Sequence, residues 1–149
     1  MATWGEFATE CPEFAARVRE RFDSGTNKTI ATLRRDGSPR ISGTEMVITD
    51  EGPSIGMMTG RKVDDVRRDP RFAIHSPTLE PPTENWAAWP GEAKMSGLLV
   101  EVDAPTDAEE GIYFTFDIRE VVHTKVAASG DKLEIESWHP GRGYERRLR

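Results

Sequence analysis

Thr59, Gly60, Arg61 and Lys62 lie in the run "GMMTGRKVDDVRRDP", residues 56–70. The run reads as a strand, a Thr-Gly turn and a helix over about 61–68, stopped by Pro70. A helix N-terminus leaves backbone N–H groups unpaired and carries about half a positive charge. Two cations in its first turn are therefore out of place unless an anion meets them. Gly60 permits close backbone approach, and Thr59 can cap the helix or donate from its hydroxyl. Arg61 supplies a forked donor and Lys62 a point charge, so a phosphate would satisfy all four residues together. The competing reading is local pairing of Arg61 with Asp64 and Asp65, in the weaker cation-first orientation worth about 0.2–0.5 kcal/mol. Arg67 and Arg68 read as solvated surface charges.

A second group lies in "DGSPRISGTEM", residues 36–46. Arg40, Ile41, Ser42 and Gly43 fall on one strand, and a glycine there marks either the approach of a ligand to the backbone or a β-bulge. No Ser/His/Asp arrangement or carboxylate pair competes for a catalytic role, and no catalytic residue is assigned. His75, His123 and His139 are scattered, without metal-ligand spacing.

These groups must be positioned by strands. "CPEFAARVRERFDSG" predicts a helix with Pro12 in the first turn, Phe14, Val18 and Phe22 on one face, and Gly25 as its stop. The period then shortens. Strands are expected at about 28–34, 40–48 and 54–58, joined by a hairpin at Asp36–Pro39 and a turn at 50–53. "RFAIHSP" is a further strand. "TLEPPTENWAAWPGE" is too rich in proline for regular structure and too aromatic for a linker. It suits a packed loop, a lid or a subunit contact. "AKMSGLLVEVDAP" is a strand with a bend or bulge at Gly97, and two last strands flank Ser129-Gly130-Asp131. The expected class is mainly β (α+β): a six- to seven-stranded antiparallel split barrel with two to three flanking helices, in one domain over 1–149.

At 149 residues the chain can bury a core without staples, roughly 70% of its unfolded surface. The single cysteine, Cys11, forms no internal disulfide, which suits a reducing cytoplasm. A net charge of −6 argues against a nucleic-acid surface. No apolar run reads as a signal peptide or a membrane span.

Helix, Asp-Gly hairpin, "PRISGTEM", a strand ending "MMTG" and "RKVDDVRRDPRFAIH" together resemble the pyridoxamine 5′-phosphate oxidase-like FMN-binding split barrels, over about Phe14 to Trp138. The Trp/Pro loop, "AKMSG" and "ESWHPGRG" look like an actinobacterial-style subset that includes users of the deazaflavin F420. The resemblance implies a homodimeric oxidoreductase that binds FMN at the subunit interface and acts on a small-molecule substrate. It places Arg40, Ile41, Ser42 and Gly43 along the flavin ring and phosphate, and Met58 and Thr59 beside the ring and ribityl chain. Arg61 and Lys62 fall on the phosphate clamp, while Lys94 and Trp138 would come from the partner. The chain departs from true pyridoxamine phosphate oxidases in lacking their C-terminal Arg-x-His and in carrying Glu45 where a lysine is usual. Oxidation of pyridoxamine phosphate itself is therefore not expected. The alternatives are an F420-dependent reductase on the same fold, or a flavin- or haem-binding protein without turnover.

Overall fold

The computed structural model describes residues 1–149. Two helices lead, α1 (Trp4–Glu10) and α2 (Pro12–Phe22), followed by the strands β1 (Lys28–Leu33), β2 (Pro39–Thr44), β3 (Val47–Thr49) and β4 (Gly52–Met57). Helix α3 (Arg61–Arg68) precedes β5 (Arg71–His75), β6 (Glu92–Val102), β7 (Ile112–Val126), β8 (Leu133–His139) and β9 (Gly143–Leu148). No helix is long and apolar enough to cross a membrane.

All nine strands join one sheet, seven of them in the order β2-β1-β5-β6-β7-β4-β3, with β8 and β9 branching from β7. Every pairing is antiparallel, as short connections require for the consecutive strands, and β1–β5 and β4–β7 are antiparallel across longer separations. The far edge of β7 is shared. Its first residues pair with β4, and its second half pairs with β8, which carries β9 outward. The two ends of the main order, β2 and β3, are consecutive in sequence, yet each pairs with a different neighbour. The strand expected over 40–48 is therefore two strands, broken at Glu45-Met46. Met46 is fully buried and anchors the bend.

Alternating side chains fill the interior: Ile30, Ile55, Ile74, Met95, Phe114, Phe116 and Ile118 are all at most 2% exposed. Each such burial stabilises by about 1.5–3 kcal/mol. The helices cover a second aromatic layer, in which Phe7 meets Trp4, Phe14 and Trp138 with ring centroids 5.1 to 5.5 Å apart.

Gly97 does mark a bulge. Residues pair as Ser96↔Glu120 and then Gly97↔Ile118, leaving Arg119 as the extra residue of β7. At Gly97 φ is +157° and an added Cβ would lie 2.0 Å from the Asp117 carbonyl oxygen, so only glycine fits.

Nine strands exceed the six or seven expected. The tail strand β9 has almost no buried residue and is held by its ladder to β8 and by Arg146 Nε donating to Glu134 at 2.7 Å. Helix α1 was also not expected as an element. In the 77–91 loop only Trp86–Ala88 is helical, a single 3₁₀ turn. Trp89 donates its indole N–H to Leu79 O at 2.8 Å, and Trp86 is exposed.

Candidate functional site

Helix α3 spans Arg61–Arg68, as the sequence predicts, but its cap is Gly60 at φ +153°, with no side chain bonded to the first turn. Thr59 does not cap. It is exposed, and the first-turn N–H groups are left without a side-chain partner. The free N-terminus thus keeps its full preference for an anion.

The local pairing available to Arg61 is not made. Asp65 is 7% exposed and accepts from Arg40 Nη2 at 2.6 Å and Arg68 Nη2 at 2.9 Å, while Arg61 has no carboxylate within 4.0 Å. Arg67 is bound to Glu101 at 2.7 Å. Lys62 is half-buried and likewise has no ion-pair partner. Burial, and then the Arg40 charge, push its ammonium below the usual lysine range. The guanidinium hydrogen bonds of Arg40 first, and of Arg68 second, hold the Asp65 carboxyl below the usual carboxylate range.

Three orphaned polar atoms lie beneath α3. Thr32 Oγ1, Arg40 Nε and Ser42 Oγ are buried without any hydrogen-bond partner. The ladder pairs Thr32 with Arg40 and Ile30 with Ser42. Residues paired across an antiparallel ladder share a face, as do residues two apart on one strand, so the three atoms gather on one side of β1 and β2. Buried donors left unpaired are costly, on the order of 1–3 kcal/mol each, and are usually met by a ligand or water.

Two clefts adjoin this face. The first, of about 550 Å³, is lined by Arg34, Arg35, Arg40, Arg61, Asp64, Asp65 and Arg68, with no apolar residue. Five arginines and two aspartates leave three positive charges. The second, of about 490 Å³, lies between Gly43, Thr44 and Glu45 at the end of β2 and Gly56, Met57 and Met58 at the end of β4. Lys62 and Asn27 complete it. It is the opening between the two sheet ends, and Met58 is 86% exposed at its rim.

The structure therefore brings Arg40, Gly43, Met58, Arg61 and Lys62 to two neighbouring clefts, with Ser42 buried behind them. Ile41 points to the other face of β2 and is 72% exposed. Thr59 lines neither cleft. Lys94 is exposed on β6, between His75 and Val122. Trp138 is 2% exposed with its ring already against Phe7, so the expectation of a contact with a partner's cofactor meets an occupied side chain. Sequence reasoning missed Arg34, Arg35 and Thr32. It saw in Asp65 only a neighbour of Arg61, because its true partner lies 25 residues away.

No protein-family model matches the chain, and no curated protein matches it. Solved structures do. A pyridoxamine 5′-phosphate oxidase-related, FMN-binding protein from Nostoc punctiforme aligns over 97% of this chain and 98% of its own, at 11% identity and a TM-score of 0.61. The fold is the split barrel of the pyridoxamine 5′-phosphate oxidase-like proteins. A haem-binding protein from Mycobacterium smegmatis also aligns, at 12% identity over 89% of this chain and 86% of that one, with a TM-score of 0.53. A conserved hypothetical protein from Mycobacterium tuberculosis matches at 20% identity and a TM-score of 0.51, over 61% of this chain. This chain spans about half of that protein, 54% of its length.

Proposed function

We propose that this split barrel is a flavin-dependent oxidoreductase that holds FMN between two copies of the chain and acts on a small organic substrate. The observation that carries the reading is the set of unpaired cations and buried orphan donors at α3: Arg61, Lys62, Arg40 Nε, Ser42 Oγ and Thr32 Oγ1. Arg40, Arg61 and Lys62, with the first-turn N–H groups of α3, would hold the phosphate. Backbone at Gly43 and the Met57-Met58 edge would receive the flavin body. Ile41, Val47 and Met58, exposed on the strands that border the opening, supply apolar surface for a second copy, and Lys94 is a group that copy could contribute.

Bound FMN supplies reversible hydride acceptance. The protein's part is orientation, charge and exclusion of water. Glu45 at the cleft in place of a cation sets the chain apart from enzymes that oxidise pyridoxamine phosphate.

Two rival cofactors share the fold. The F420 reading draws on Arg34 and Arg35, which exceed what one phosphate needs and suit a longer acidic tail. Haem finds less support. His75 is bonded to Glu92 and Ser76, His139 to Glu120 and Arg142, and His123 is 2% exposed, so no ring stands free at either cleft.

The test is to titrate purified protein with FMN, riboflavin, F420 and haem, with size measured by light scattering before and after. The reading expects a dimer that binds one FMN per chain, prefers FMN over riboflavin about a hundredfold, and turns over with a hydride donor. Tighter binding of F420 or haem than of FMN, or FMN binding without any turnover, would overturn it.

A further inference from the structure

A carboxylate at the centre of an anion site calls for a reason. Asp65 is the buried acid of the arginine cleft, and by charge alone it opposes a phosphate. Its geometry argues the other way. One oxygen takes Arg40 Nη2 at 2.6 Å and the other takes Arg68 Nη2 at 2.9 Å. Arg68 is tied further by donating to Leu33 O at 3.4 Å, which links α3 to the end of β1. Arg40 rises from β2 opposite Thr32, with Nε buried and unpartnered.

Resting on the phosphate reading above, we infer that Asp65 is the positioning residue of this site: it fixes Arg40 in place so that the guanidinium meets the phosphate without being ordered by it. An unanchored arginine loses its rotamer freedom on binding, an entropy worth about tenfold or more in affinity. Asp65 takes that loss during folding instead. It also draws β2 to α3, so that Arg40 and Lys62 stand together although burial, and then the Arg40 charge, lower the Lys62 ammonium.

Charge and position predict opposite signs. Asp65→Asn raises the cleft from three positive charges to four. If Asp65 were only background charge, FMN would bind more tightly to the variant. As a positioning residue, it predicts FMN affinity about tenfold weaker and riboflavin affinity unchanged, both read by flavin fluorescence. In an Arg40→Ala background the substitution should add no further loss, since the residue it positions is gone. Asp65→Glu keeps the charge but lengthens the arm, and should also weaken FMN selectively. That arm decides the matter where Asp65→Asn is too unstable to titrate. Equal or tighter FMN binding, an equal loss of riboflavin, or full additivity with Arg40→Ala would overturn this inference alone. A wild-type protein that does not prefer FMN over riboflavin would overturn the phosphate reading with it.

Discussion

Replacing both Arg61 and Lys62 by alanine tests the site from two directions. Charge-assisted hydrogen bonds are worth roughly 1.5–3 kcal/mol each when sheltered, and less when exposed. Arg61 is exposed and Lys62 half-buried, so about 1 and about 2 kcal/mol are the fitting magnitudes. Together they amount to about 3 kcal/mol, or FMN affinity weakened roughly a hundredfold, with riboflavin nearly unaffected. The apo protein should respond in the opposite sense. Neither cation has a carboxylate partner to lose, both oppose the helix charge, and alanine favours the helix. A gain of about 0.5–1 kcal/mol corresponds to a melting point higher by roughly 1–4 °C. Flavin titration and a thermal melt of the same preparations measure both effects. FMN affinity within about threefold of wild type, or a clear fall in apo melting temperature, would refute the reasoning. The second outcome would mean that the cations have partners within the chain after all.

Other expectations follow from single residues. Because the Lys62 ammonium is depressed by burial and by Arg40, FMN affinity should fall as pH rises below the ordinary lysine value of 10.5, and Lys62→Arg should abolish that slope. The same shift makes the apo fold gain stability as pH climbs from the depressed value toward 10.5, since the unfolded chain still holds a proton the native state has lost. Tyr144 donates to the buried Glu136 at 2.7 Å, and burial with that hydrogen bond pushes its phenol from 10.0 up to about 12. Its stabilisation is complete below pH 10.0 and lost as pH rises toward 12. Ultraviolet titration should show one late phenolate that Tyr144→Phe removes. Gly97→Ala drives a methyl group into the Asp117 carbonyl and should cost about 3 kcal/mol or more, seen as a melting temperature lower by at least about 6 °C.

What could be read from sequence was local. The hairpin turns and both ends of α3 depend on neighbours within a few residues and are legible there, and Gly97 showed itself as a glycine inside a strand although the bulge it makes is with β7. Helix α1 was legible too, through an overlooked capping box: Thr3 accepts from Glu6 N at 3.1 Å and Thr3 N donates back to Glu6 at 3.3 Å. β9 was not, because "GYERRL" carries no apolar alternation and owes its shape to β8. The break at Glu45-Met46 depends on which partner each half finds. The two cations of the site were visible from their misplacement on a helix. Arg40, Ser42, Gly43 and Met58 were named from the strand glycine and the resemblance, but the part of Thr32 and Asp65 was hidden, because they join Arg40 only through a ladder and an ion pair across the fold.

The extra residue in β7 divides that strand into two reading frames. Before Arg119 the inward positions are even, at Phe114, Phe116 and Ile118. After it they are odd, at Val121 and His123. A substitution or deletion at Arg119 leaves the same side chains inward, whereas straightening the bulge with Arg119 kept would turn every side chain on one half of the strand inside out. Comparison with a relative that lacks the bulge must therefore skip one position there. Otherwise core residues are set against surface ones along half of the longest strand. At identities near one residue in nine, such a slip lowers the apparent sequence likeness of two chains that share the backbone fold.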